Sequence, residues 1–435
     1  MDYAGRRATF SAAMKDGVAL IPAARERNRN SDTGYEFRQD SDFYYLTGFT
    51  EPDAVLALAP HDDRERTILF LRPRDRTQEI WTGRRLGVQA APERLHVDAA
   101  YSIDEFDSRL ARYLAGAQRL YYAFGSDEAF DRRVFQGLTA ARGHSRRKGR
   151  SPEEFIEPGT VLHEMRLRKD RDEIEAMRRA AGVTALGHRA GMAATRPGMH
   201  EYQLEAIVEY AYYSNGAQAV AYPSIVAGGE NATILHYDTN RMPLPDGQLV
   251  LVDSGSEVDA YASDVTRTWP IKGRFTPEQR AIYEIVLAAQ EAGIARVSPG
   301  VNCREFHHAC VRVVTEGLID VGLLAGTVDE NIEKNRYHDF FMHGSGHWLG
   351  LDVHDAGRYR DENDNYRRLE PGMVTTVEPG IYVHPDLECD ERFKGIGVRI
   401  EDNILVTPDG NENLTAAIPK SVAEIEALVG ETACA

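Results

Sequence analysis

Acidic side chains stand at the ends of apolar runs in the second half of this chain, and that placement limits its possible folds more than any other feature. Gln248-Leu249-Val250-Leu251-Val252-Asp253 is an apolar run closed by an acid and broken by Ser254-Gly255, so it reads as a buried strand with Asp253 at its mouth. The stretch from Tyr261 to Trp269 alternates and sets Asp264, Thr266 and Thr268 on one face, as the strand period of two requires. The two segments read as a hairpin carrying two acids. Val374-Thr375-Thr376-Val377-Glu378 stops at Pro379-Gly380, and Gly397 to Val406 alternates again, turning Arg399, Glu401 and Asn403 the same way.

With His347, the acids Asp253, Asp264, Glu378 and Glu401 form a candidate metal-ligand set. Four carboxylates gathered without a counter-charge would repel one another and suffer desolvation, at a cost on the order of several kcal/mol per uncompensated charge. Two divalent ions balance the four negative charges and leave His347 as a neutral ligand. Ions about 3.5–4 Å apart suit carboxylates that bridge through both oxygens, and make a bridging hydroxide reasonable. Oxygen-rich ligation with one imidazole and no thiolate favours Mn²⁺ before Zn²⁺, although Co²⁺ or Fe²⁺ fits the same cage. Taken singly, each residue has a blander reading: an Asp after a strand is usually a turn former, and a lone His is usually structural.

The surroundings of all five positions decide between these readings. Leu251-Val252-Asp253-Ser254-Gly255, Tyr261-Ala262-Ser263-Asp264-Val265-Thr266-Arg267-Thr268, the stretch from His343 to Asp355, Val377-Glu378-Pro379-Gly380-Ile381-Tyr382 and the stretch from Gly395 to Asp402 together resemble the pita-bread metallopeptidases. Within that family they are similar to the bacterial Xaa-Pro aminopeptidases (aminopeptidase P). The likeness extends to the segments Arg38 to Phe49 and Trp81 to Gly87, so it covers nearly the whole chain and sets it apart from methionine aminopeptidases.

The resemblance implies an α/β (α+β) chain: an N-terminal α/β domain over residues 1–170, then a catalytic pita-bread domain over 171–435 with pseudo-twofold duplicated halves. Helices around Arg196-Pro197-Gly198 and again around Ser298-Pro299-Gly300 fit such a duplication. It also implies release of the first residue from peptides with proline second, by attack of a metal-bridging hydroxide, with Glu378 as general base and proton shuttle. His236 is expected to orient substrate or stabilise the intermediate, His354 to donate to the substrate carbonyl or its oxyanion, and His343 to line the proline side. Tyr382 and Arg399 would fix the carboxylates, because ligating carboxylates need partners of their own. Arg399 could instead serve only as an ion-pair partner of Asp402 or another acid. Homodimers or homotetramers are implied, in which Trp81 closes a neighbour's pocket; Trp81 packing within its own domain is the alternative. A prolidase restricted to Xaa-Pro dipeptides is the second reading, and a metal-free binding module the third.

Composition excludes other classes. The 435 residues allow two or three domains, and a net charge of −17 opposes nonspecific nucleic-acid binding. Arg146-Arg147-Lys148-Gly149-Arg150, the densest basic cluster, reads as a solvated interdomain loop. The 4 cysteines give no disulfide framework, which agrees with a reducing, cytoplasmic setting. Arg6-Arg7 faintly suggests an export signal, but Lys15 and Asp16 interrupt any apolar core. No run approaches a membrane span. His307 and His308, near Cys303 and Cys310, read as a helix after Pro299-Gly300 whose cysteines share a packed face, and not as a further metal site.

Overall fold

The computed structural model describes residues 1–148 and 150–431, and the chain divides into two compact units, Met1–Met165 and Arg166–Ala435. In the first unit, strands β1 (Gly17–Pro22), β2 (Val55–Leu58), β3 (Thr67–Leu71), β4 (Ala99–Ser102), β5 (Arg119–Tyr121) and β6 (Glu154–Ile156) form one mixed sheet in the order β4-β3-β2-β1-β5-β6. β1 and β2 bury nearly every side chain, which explains their continuous apolar sequence: a central strand covered on both faces needs no polar alternation. Phe106–Leu114 (α1) and Glu128–Lys148 (α2) supply Phe106, Leu110, Phe130 and Val134 to the core over this sheet. The basic cluster expected as a loop is helical from Arg146 through Lys148, because these residues form the last turn of the long helix α2, whose Phe130, Val134 and Leu138 are anchored in the core; Gly149 lies outside the described residues.

The second unit contains two helix pairs, each followed by a three-stranded antiparallel sheet. The first pair is α3 (Arg171–Ala194) and α4 (Glu201–Ser214). α3 starts where Asp170 accepts from the Glu173 amide while Glu173 reaches back to the Asp170 amide, a reciprocal cap that satisfies two otherwise orphaned donors. β7 (Ile225–Gly228), β8 (Leu249–Asp253) and β9 (Thr266–Pro270) follow, with Asp253 opposite Thr266 in register. The second pair is α5 (Pro277–Ile294) and α6 (Glu305–Asp320). Its sheet joins β10 (Val374–Val377), β13 (Asp402–Thr407) and β14 (Gly410–Asn413), while β11 (Gly380–Tyr382) and β12 (Gly397–Arg399) pair separately.

Two strand readings and one helix reading need correction. β8 and β9 do pair antiparallel, but the chain between them makes a small hairpin of Ser256–Val258 with Tyr261–Ala262, so Asp264 lies in the connection before β9. The stretch from Gly397 to Val406 is two strands in two sheets, and Glu401 occupies the break. Backbone pairing to different partners overrides an unbroken alternation in sequence. Cys303 precedes α6 and does not share its helical face with Cys310. Among the described residues, no helix is long and apolar enough to cross a membrane.

Candidate metal centre

Asp253 ends β8, Asp264 precedes β9, Glu378 follows β10, and Glu401 fills the gap between β12 and β13. Strand ends carry Asp253 and Glu378, and buried breaks between strands carry Asp264 and Glu401, so four carboxylates converge where the sheets stop. Asp264, His347 and Glu401 present ligand atoms within 4.8 Å of one another. His347 Nε2 stands 3.3 Å from Asp264 Oδ2 and 3.7 Å from Glu378 Oε1. Its Nδ1 is 3.0 Å from the Trp348 carbonyl oxygen; an Nδ1–H donated there leaves the Nε2 lone pair facing the acids, the tautomer a metal ligand needs.

The outward oxygens of these acids are held by neutral donors and one cation. The Tyr222 hydroxyl lies 2.6 Å from Asp253 Oδ1 and 2.5 Å from Asp264 Oδ1, so one proton serves two carboxylates. Thr266 Oγ1 donates to Glu401 Oε2 at 2.8 Å and accepts from Arg399 Nε at 3.0 Å. Arg399 Nη2 donates to Asp253 Oδ2 at 2.6 Å. Of the ion-pair partners open to Arg399, Asp402 is taken by Arg267 at 2.6 Å and Lys420 at 2.7 Å, and the acid Arg399 does pair with is Asp253.

From Arg399 a directed line of hydrogen bonds runs to a histidine. Arg399 Nη1 donates to the Tyr382 oxygen at 3.0 Å, the Tyr382 hydroxyl is 2.8 Å from His343 Nε2, and His343 Nδ1 is 2.7 Å from the Gly344 carbonyl. Only Nδ1 can donate to a carbonyl, so Nε2 accepts from Tyr382. His354 stacks edge-on against His347, ring centroids 4.3 Å apart. His236 is exposed, and its charge bears on both His343 and His354.

Electrostatics explains why this cluster fits divalent cations. Burial, opposed by Arg399 and reinforced by Asp264, lifts the Asp253 carboxyl above its ordinary range. Burial, then Asp264, Glu378 and Asp253, lifts Glu401 far above its own. Glu378 is pushed up to about 7, chiefly by burial, with His347 opposing and Asp264 adding to it. Burial alone would lower the His347 imidazole, but hydrogen bonding to Asp264 and the charge of Glu378 outweigh it and raise it to about 9. Arg399 is the one permanent cation bonded to the four acids among the described residues, which leaves an excess of buried negative charge. Oxygen donors, one imidazole and no thiol suit hard to borderline divalent ions. His343, in contrast, is lowered to about 3 by burial and the Arg399 charge, and so is neutral.

The sequence readings missed two contacts. Tyr222 carries no local signal, since only the tertiary fold brings it beneath two acids that follow it in the chain. His307, dismissed together with Cys310 as packing, places Nδ1 2.9 Å from Ser345 Oγ. Ser345 is the middle residue of the turn from His343 to His347, and its carbonyl accepts the Glu378 amide at 2.9 Å. No ligand role follows for His307, but a supporting one does. Trp81 is 82% exposed within its own unit, which rules out packing inside that domain.

Comparison with known proteins agrees with this geometry. Residues 175–408 match metallopeptidase family M24, and residues 3–122 match the aminopeptidase P N-terminal domain. The Xaa-Pro aminopeptidase of Escherichia coli K12 is 47% identical over 98% of this chain and 97% of its own length. The structure of Pseudomonas aeruginosa aminopeptidase PepP superposes with a TM-score of 0.96 at 48% identity, covering 98% of this chain and 97% of that one. Zinc-substituted E. coli aminopeptidase P in complex with product gives 0.95 at 46% identity, with coverage of 98% and 97%.

Proposed function

The chain belongs to metallopeptidase family M24, and from that membership we propose how its residues divide the work of a Xaa-Pro aminopeptidase. It is a hydrolase that releases the first residue of peptides whose second residue is proline. Asp253, Asp264, His347, Glu378 and Glu401 hold two divalent ions, Mn²⁺ before Zn²⁺, Co²⁺ or Fe²⁺. Such ions neutralise the carboxylates, make a water acidic enough to be a nucleophile near neutral pH, and polarise the scissile carbonyl.

The remaining work falls to the chain. Glu378 moves the proton: a ligating carboxylate beside the nucleophilic water is within reach to take it up and pass it on. The imidazoles of His354 and His236, both exposed, are placed to donate to the substrate carbonyl as charge develops on its oxygen. His343 lines the proline side, its ring orientation set by Tyr382 and Arg399. Trp81 closes a neighbouring subunit's pocket in a homodimer or homotetramer, a role supported by its exposure.

The observation that carries this reading is the convergence of Asp264, His347 and Glu401, with buried Asp253 and partly buried Glu378 beside them. Elemental analysis of Mn²⁺-loaded protein should find two ions per chain, and one ion would contradict the dinuclear reading. The loaded enzyme should release the first residue from an Xaa-Pro-Xaa peptide; cleavage confined to Xaa-Pro dipeptides would make it a prolidase. Glu378→Gln should lower kcat by about 10²–10⁴-fold.

A further inference from the structure

Glu201, the first residue of α4, is wholly buried, yet none of its four hydrogen-bond donors is charged. Its Oε1 accepts from the Gly228 amide and from Asn231 Nδ2, both at 2.9 Å. Its Oε2 accepts from the Tyr237 hydroxyl at 2.8 Å and from the Met242 amide at 2.9 Å. The Glu201 amide in turn donates to the Met242 carbonyl at 2.9 Å. A buried carboxylate is expensive to desolvate, and four donors on its two oxygens are what make it tolerable.

These donors come from the two ends of one excursion. Gly228 and Asn231 open it at the end of β7, Tyr237 and Met242 close it, and His236 stands between. A loop pinned at both ends by one side chain loses most of its freedom before substrate arrives. Asn240 adds a second tie, accepting from the Val226 amide at 2.9 Å and donating to the Ser224 carbonyl at 2.7 Å.

We infer that Glu201 is a positioning residue that holds His236 in its working place by clamping the segment from Gly228 to Met242. The inference rests on the role given above to His236. Arg399 Nη2 also reaches this segment, at the Leu235 carbonyl 3.5 Å away, so metal content has to be read beside kcat to separate the clamp from the metal ligands.

Glu201→Gln is the decisive substitution, since it keeps the shape. Whichever way the amide turns, its NH₂ meets two donors, and the Gly228 or Met242 amide loses its acceptor. In Mn²⁺-loaded enzyme this variant should lower kcat on an Xaa-Pro-Xaa peptide by about 10- to 100-fold, as small misplacements of catalytic groups do. KM should stay within about threefold and metal content should be unchanged. Hydrogen exchange should quicken in residues 228–242 and nowhere else. In a His236→Ala background the same change should cost less than about twofold more, because its target is gone.

An equal factor in both backgrounds overturns the inference, as does unchanged exchange in 228–242. If His236→Ala alone keeps full kcat, the role of His236 falls instead, and the exchange data still decide whether Glu201 clamps the loop. Should Glu201→Gln fail to fold, Tyr237→Phe removes one donor only and should move kcat and exchange the same way, by a smaller factor.

Discussion

Arg399 meets Asp253 at 2.6 Å through Nη2 and spends its other donors on Tyr382 and Thr266. One planar cation thus fixes a candidate ligand and, through Tyr382, the tautomer of His343. A lysine offers a point charge without that fork. Arg399→Lys should therefore keep the fold but lower both metal affinity and kcat, each by about 10- to 100-fold, the usual range for residues supporting metal ligands. Mn²⁺ titration with single-turnover kinetics checks it. Full kcat at saturating Mn²⁺ would reduce Arg399 to a charge partner.

Chelation should expose the raised pKa values of the cluster. Asp253, Glu378 and Glu401 lie above their ordinary range and His347 near 9. A group raised on folding favours the fold below its unfolded pKa and loses that contribution as pH climbs through its folded value. Buried His188, His307 and His343, held below their ordinary value, work the other way up to about pH 6.5, so the thermal midpoint of chelated protein should fall between about pH 7 and 9, and Mn²⁺ should restore more of it at the upper end. Binding should release protons, measurable by calorimetry in buffers of differing ionisation enthalpy. A midpoint that rises through this window contradicts the assignment.

Asp402 shows the opposite sign. Arg267 and Lys420 hold its carboxyl well below the usual range despite full burial. That stability is present above the unfolded pKa and is lost as pH falls toward the folded one. Asp402→Asn leaves two cations behind and should cost about 3–5 kcal/mol. Thermal scans should show the variant melting roughly 5–15 °C lower at neutral pH, with the gap to wild type narrowing in acid.

Ser345→Ala removes the tie to His307 at 2.9 Å. One neutral hydrogen bond is worth about 0.5–1.5 kcal/mol, so the melting point should barely move. The turn from His343 to His347 should loosen, weakening Mn²⁺ binding by about 3- to 10-fold. His307→Ala should match it, and the double variant should add nothing. Additive losses would separate the two residues.

Asp253 and Glu378 were legible because each sits where an apolar run stops, as at Leu251-Val252-Asp253 before Ser254-Gly255, while Asp264, His347 and Glu401 were legible through the motifs around them. Their supports were less visible. Thr266 stood on the correct face, but its contacts with Glu401 and Arg399 depend on which sheet each strand joins. Periodicity cannot choose between partners, so Gly397 to Val406 read as one strand where there are two. Tyr222 and Glu201 were invisible for a related reason: both act across the fold, on residues with which they share no local pattern.

Asp253 and Asp264 come from the first helix-pair-and-sheet half, while His347, Glu378 and Glu401 come from the second. Neither half alone owns a complete coordination sphere. Ion affinity is thus a reporter of how well the halves are docked, and a substitution anywhere along their seam can disarm the enzyme while leaving every ligand intact.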